Sequence, residues 1–174
     1  MAQQFDVIIC GSGSAGLCAA LWLARCGISF KILERRNGPL RMGQADGVQC
    51  RTVEIFESFG LVEDLLKESY HVHEIAFWSP GPDGFIKRTH FAPDTEPGIS
   101  HQPHVILNQA RINSIMMDEI QRIAGETVIA YNYEVRGVEI DDMSAEDSEA
   151  YCTTVEAVKD GVMERFRAKY VLVS

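Results

Sequence analysis

Phe5-Asp-Val-Ile-Ile-Cys-Gly11-Ser-Gly-Ser-Ala-Gly16-Leu-Cys-Ala-Ala-Leu-Trp-Leu-Ala-Arg25-Cys-Gly27 decides the fold of this 174-residue chain. The run 5–9 is short and β-branched, which predicts a strand ending at Gly11. Residues 15–26 are rich in Ala and Leu, which predicts a helix with Gly27 as its C-terminal stop. Phe30-Lys-Ile-Leu33 then reads as a second strand. Strand, glycine turn, helix and strand in this order make a βαβ unit, and hence a parallel sheet with a right-handed crossover.

Gly11-Ser-Gly-Ser-Ala-Gly16 has the spacing GxGxxG, placed after a strand and at the opening of a helix. Gly11 permits the tight turn, Gly13 lets the backbone approach a diphosphate, and Gly16 lets helix and strand pack closely. The amides of the first helical turn, with the positive end of the helix dipole, suit an anion. Gly11, Gly13, Ser14, Ala15 and Gly16 are therefore candidate diphosphate-binding residues. Glu34 closes the second strand 18 residues after Gly16. A carboxylate there accepts hydrogen bonds from adenosine ribose hydroxyls and repels a 2′-phosphate, an exclusion that Arg35 and Arg36 soften. This spacing is shared by FAD and NAD sites and does not choose between them.

Outward from this unit, Asn37-Gly-Pro-Leu reads as a turn and Met42 to Cys50 as ordered loop. Helices are expected over Thr52–Phe59, stopped by Gly60, and over Val62–Lys67. Ile75–Trp78 and Phe85–Phe91 read as a hairpin across Pro80-Gly-Pro-Asp-Gly84, and His104–Leu107 as a short strand. Ile112, Ile115, Met116, Ile120 and Ile123 form one helical stripe ended by Gly125. Thr127–Ala130 is a further strand. Glu134–Ile140, Tyr151–Val158 and Phe166–Val173 read as an antiparallel meander. The four apolar residues 170–173 predict burial on both faces, with further chain needed to complete the layer.

Composition narrows the functional class. Hydrophobic residues make up 46% and charged residues 24%, with 16 basic against 25 acidic side chains and a net charge of −9. That balance excludes non-specific nucleic-acid binding, which needs a cationic surface. The uncharged run 7–24 holds three glycines, at 11, 13 and 16, and does not suit a membrane span. Met1-Ala-Gln-Gln lacks the basic start of a signal peptide, so a cytoplasmic protein is expected. Five cysteines without CxxC spacing argue against a disulfide framework. Cys10, Cys18 and Cys26 are expected as buried small hydrophobes. His71 and His73, or His101 and His104, lack the accompanying ligands of a metal site, so no metal is expected. No Gly-x-Ser-x-Gly elbow supports a hydrolase triad.

Three segments carry a resemblance. Met42-Gly-Gln-Ala-Asp-Gly-Val-Gln-Cys-Arg-Thr-Val-Glu-Ile-Phe56, Pro93-Asp-Thr-Glu-Pro-Gly-Ile-Ser100 and His104-Val-Ile-Leu-Asn-Gln-Ala-Arg111 resemble motifs of FAD-dependent aromatic hydroxylases. The resemblance is to the phenol 2-monooxygenase and 3-hydroxybenzoate 4-monooxygenase branch. It implies an α/β fold: a Rossmann-like FAD-binding βαβ domain with an antiparallel β-meander and part of a substrate-side sheet, truncated at the C-terminus. It places 1–174 in the N-terminal portion of the FAD-binding domain, with about 75–103 belonging to the substrate-side insertion and about 132–174 to the meander.

The resemblance further implies that NADPH reduces the flavin and that a C4a-hydroperoxide hydroxylates a small phenolic substrate, in a family that can form homodimers. Gln44, Arg51 and Gln109 would lie beside FAD, with Arg51 facing the phosphates. Asp46 would be the catalytic proton acceptor at the substrate hydroxyl, since a phenolate reacts faster than a phenol with electrophilic oxygen. The family's later Asp-Gly and Gly-Asp motifs lie beyond Ser174. A non-catalytic remnant keeping the nucleotide half-site, and an NAD-dependent oxidoreductase, are the competing readings. Gln44-Ala-Asp-Gly47 and Leu107-Asn-Gln109 favour flavin.

Overall fold

In the computed structural model, residues 2–43, 45–125 and 128–174 are described. They divide into two compact units, Met1–Arg41 with Asn113–Ser174, and Met42–Ile112, the boundary falling within the fourth helix.

The first unit is built on a six-stranded sheet. Its strands are β1 (Gln3–Cys10), β2 (Phe30–Glu34), β8 (Ile129–Tyr131), β9 (Glu134–Ile140), β10 (Thr153–Lys159) and β11 (Val162–Val173), in the order β8-β2-β1-β11-β10-β9. The four strands β8, β2, β1 and β11 run parallel to one another, and β11, β10 and β9 form the antiparallel meander. Ile8, Ile9 and Ile32 are completely buried, as strands in the middle of a parallel sheet require. Alternation sets the meander's inner face: Val155, Ala157, Phe166 and Ala168 join Ile8 and Leu33 in one core cluster.

Helix α1 (Ser14–Arg25) buries Leu17, Ala20, Leu21 and Ala24. Each buried leucine stabilises the unit by roughly 1.5–3 kcal/mol. The helix stops where Gly27 takes φ +68°. There the Gly27 amide donates to Ala24 O at 3.2 Å and the Ile28 amide to Leu23 O at 3.0 Å, which satisfies the last carbonyls. Gly60 ends the second helix with the same left-handed turn, at φ +65°.

The second unit holds α2 (Cys50–Ser58), α3 (Val62–Glu68), the start of α4 (Gln109–Ala124), a small sheet and a hairpin. The small sheet has the order β3-β7-β4, from Gly47–Val48, Val105–Ile106 and Tyr70–His71. The hairpin pairs β5 (Glu74–Pro80) with β6 (Ile86–Pro93). β3 and β4 have only two residues each, too few to leave any alternation in the sequence.

The end of β11 is open to solvent in this chain: Tyr170 is 61% and Val173 81% exposed. Its pairing with β10 stops at Ala168, opposite Thr153, so among the described residues the end of β11 has only β1 as a neighbouring strand. Of the cysteines expected as buried hydrophobes, Cys26 is exposed and Cys10 and Cys18 are half-buried. Cys26 sits at the C-cap of α1, where the chain leaves the packed face. No helix among the described residues is long and apolar enough to cross a membrane.

Candidate functional site

The turn between β1 and α1 is shaped by close approaches that exclude side chains. Because β1 and β11 are parallel, Ser174 follows β11 beside the residues that follow β1, and its amide donates to Cys10 O at 3.0 Å. A Cβ on Gly11, whose φ is +110°, would lie 2.7 Å from Ser174 O. A Cβ on Gly16 would lie 2.4 Å from Gly11 O and 2.7 Å from Ser174 Oγ. Gly13 differs. Its φ and ψ of −71° and 175° suit any residue, and a Cβ there would meet nothing within 4 Å. The only one of the three motif glycines without a structural reason is thus the one assigned to ligand approach.

Gly13 is the N-cap of α1, and among the described residues no side chain caps the helix. The first intrahelical bond is donated by Leu17 to Gly13 O at 2.9 Å. Ala15 is exposed, and Ser14 is half-buried with its Oγ donating to Asn113 Oδ1 at 2.8 Å. A helix mouth in this state suits an anionic oxygen.

Glu34 is 4% exposed and holds the same turn from the side. Its Oε2 accepts the Ser12 amide at 2.7 Å, the Ser12 hydroxyl at 2.8 Å and Arg36 Nη2 at 2.9 Å. Among the described residues its Oε1 accepts only the Arg36 amide, at 2.9 Å. Burial pushes the carboxyl upward, but the Arg36 and Ser12 donors outweigh it and lower its pKa to about 2. Oε1 retains acceptor capacity, so the carboxylate has room for one more donor while it braces the turn. Arg35 is exposed, and the guanidinium on Glu34 belongs to Arg36. Tyr131 lies opposite Glu34 in the β2–β8 register, and burial, then the Glu34 charge, raises its phenol pKa.

Sequence reading missed Ser12, the structural weight of Arg36, and Asn113. Asn113 did leave a signal, as a polar residue flanked by Ile112, Ile115 and Met116 on the buried stripe of α4. Ser12 left none, because the motif leaves that position open.

In the second unit, Asp46 is exposed and its backbone is tied to β7 by the Leu107 amide, which donates to Asp46 O at 2.8 Å. Gln109 opens α4, half-buried, and its backbone and Cβ approach Gly43 so closely that a Cβ there would meet Gln109 Cβ at 2.5 Å. Asn108 caps this helix, its Oδ1 accepting the Ala110 amide at 2.9 Å. Arg51, at the start of α2, has an 82% exposed side chain and pairs with Glu54 at 2.9 Å. Gln44 lies outside the described residues. His101 pairs with Glu57 at 2.6 Å and His104 with Asp94 at 2.7 Å, so these two histidines are held by separate carboxylates.

Comparison with known proteins agrees with this geometry. The FAD-dependent monooxygenase terD of Aspergillus terreus is 51% identical over 177 residues, covering 100% of this chain and 29% of that protein. The 3-hydroxybenzoate 4-monooxygenase of Comamonas testosteroni is 38% identical, covering 98% of this chain and 27% of its own length. The chain thus spans less than a third of either relative. The crystal structure of p-nitrophenol 4-monooxygenase PnpA from Pseudomonas putida DLL-E4 superposes on all of this chain and 41% of its own, with a TM-score of 0.80 at 20% identity. That likeness shows the fold. The sequence pattern of the family described as the FAD binding domain matches from residue 4 to residue 173, and the chain belongs to that family.

Proposed function

We propose that this chain is the nucleotide-holding portion of a cytoplasmic flavin-dependent monooxygenase that hydroxylates a small phenolic substrate, with NADPH as reductant. The observation that carries the reading is the uncapped mouth of α1, with open space at Gly13 and crowding at Gly11 and Gly16. Gly11, Gly13, Ser14, Ala15 and Gly16 hold the diphosphate of FAD, and Glu34 offers Oε1 to the adenosine ribose. Arg35 lies at the edge of the adenosine site, where its charge bears on a phosphorylated ribose.

Bound FAD supplies the electrons and the activation of O2 through which one oxygen atom is transferred to the aromatic ring. The chain's own residues bind and orient. Gln44, Arg51 and Gln109 flank the cofactor, Arg51 exchanging Glu54 for phosphate. Asp46 takes the proton of the substrate hydroxyl and so raises the electron density of the ring. The segment of about residues 75–103 belongs to the substrate side, and the whole enzyme is a homodimer.

The test is FAD titration of the 174-residue chain, followed by its visible absorbance, with NADPH-driven phenol hydroxylation measured on the same sample. Weak, saturable FAD binding lost in Gly13→Ala, without hydroxylation, is expected, because the roles proposed serve only the adenosine end and one flank of the flavin. Absence of any FAD or ADP binding would overturn the nucleotide reading. Stoichiometric FAD with hydroxylation would overturn the division of labour.

A further inference from the structure

We infer that Asn113 is a positioning residue for the diphosphate site, its buried carboxamide setting the direction in which the Ser14 hydroxyl points its proton. This rests on the nucleotide reading above. Asn113 lies on α4, is 1% exposed, and is flanked by Ile112, Ile115 and Met116, all buried. Its Oδ1 accepts the Ser14 hydroxyl at 2.8 Å. Its Nδ2 is buried and, among the described residues, has no hydrogen-bond partner. A buried amide nitrogen left unpaired is costly, and an apolar side chain of similar size would remove the cost. Asn113 is a poor choice for packing alone.

The two ends of a carboxamide are nearly equal in size, so a half-turn about its last bond exchanges donor for acceptor without repacking. In the arrangement observed, the Ser14 proton is directed to Asn113 Oδ1, and the hydroxyl presents lone pairs at the first residue of α1. After the half-turn, Nδ2 donates to Ser14 Oγ and the Ser14 proton is released toward a phosphate oxygen. No covalent bond changes. One hydrogen bond between the two side chains is kept, one charge-assisted bond to the anion is gained, and the unpaired atom becomes the oxygen. An anion at the helix mouth therefore selects the second arrangement, and adenosine, which has no phosphate, does not.

The experiment compares ADP and adenosine binding by calorimetry for the 174-residue chain and for Ser14→Ala, Asn113→Leu and the double variant. Asn113→Leu removes the unpaired amide and is expected to be at least as stable as the parent in urea unfolding. It is nonetheless expected to weaken ADP roughly threefold to tenfold while leaving adenosine within about twofold. Ser14→Ala should do the same, and Asn113→Leu should then have no further effect on ADP. In the unmodified chain, the side-chain amide NMR signal of Asn113 should shift on addition of ADP and not of adenosine, a readout that stands even if Asn113→Leu does not fold.

An unchanged ratio of ADP to adenosine affinity in Asn113→Leu, additive effects of the two substitutions, or an Asn113 signal indifferent to ADP overturns the inference and leaves the nucleotide reading intact. Failure of the unmodified chain to bind ADP removes both.

Discussion

Ser12 donates both its amide and its hydroxyl to a single oxygen of Glu34, at 2.7 and 2.8 Å. The residue that closes β2 is therefore the side brace of the turn that opens α1. Glu34→Gln replaces one carboxylate oxygen by a donor that must face Arg36 or Ser12, so a donor pair is set against a donor. Loss of about 1–3 kcal/mol in urea unfolding is expected. A variant as stable as the parent would show that the brace carries no weight.

The same carboxylate gives a pH signature. Its folded pKa is lowered to about 2 from the ordinary 4.5. A depressed carboxyl contributes stability that is fully present above the unfolded value and is lost as pH falls toward the folded one. On the order of 2–3 kcal/mol should therefore disappear between about pH 4.5 and 2. Glu34→Gln should flatten that part of the curve, measured as unfolding free energy against pH. Parallel curves for the two proteins would contradict the assignment.

The three motif glycines should separate cleanly. Gly16→Ala places a Cβ 2.4 Å from a backbone oxygen, which cannot yield as a flexible side chain would. It should cost about 1–3 kcal/mol or more in stability. Gly13→Ala meets open space with a permitted backbone, so its stability should change by less than about 1 kcal/mol. Its ADP affinity should nonetheless fall about tenfold or more, because the Cβ occupies the path of the diphosphate. Equal destabilisation by the two would mean that Gly13 is merely structural.

Thiol chemistry should follow burial. Burial raises the thiol pKa of both Cys10 and Cys18, whereas Cys26 is exposed at the helix end. At mildly alkaline pH, iodoacetamide should label Cys26 well before the other two, as read by peptide mass spectrometry. Labelling of Cys18 as fast as Cys26 would contradict the packing of α1.

Much of this was legible in the sequence because its signals are local. The glycine spacing, the Ala- and Leu-rich run and the stop at Gly27 each act within one turn of chain, and β1, α1 and β2 lie where they predict. The β10–β11 pair was legible as two neighbouring strand-like runs of a meander. What was not legible depends on residues far apart in the chain. Part of the crowding at Gly11 and Gly16 comes from Ser174, more than 150 positions away, beside the nearer approach of Gly11 O to Gly16. Glu34 is visible as a strand-closing acid, but its four donors come from Ser12 and Arg36, and only the fold shows that Oε2 is filled while Oε1 is not. The exposure of Cys26 depends on where the chain leaves the packed face of α1, which composition does not record.

The most direct test of the central claim is an amide NMR titration of the 174-residue chain with ADP. The account predicts the largest shifts at Gly13, Ser14, Ala15 and Gly16, with smaller ones at Glu34 and Arg36, all of them reduced in Gly13→Ala. Saturable ADP binding that leaves the amides of residues 13–16 unmoved, or no binding at all, would contradict it.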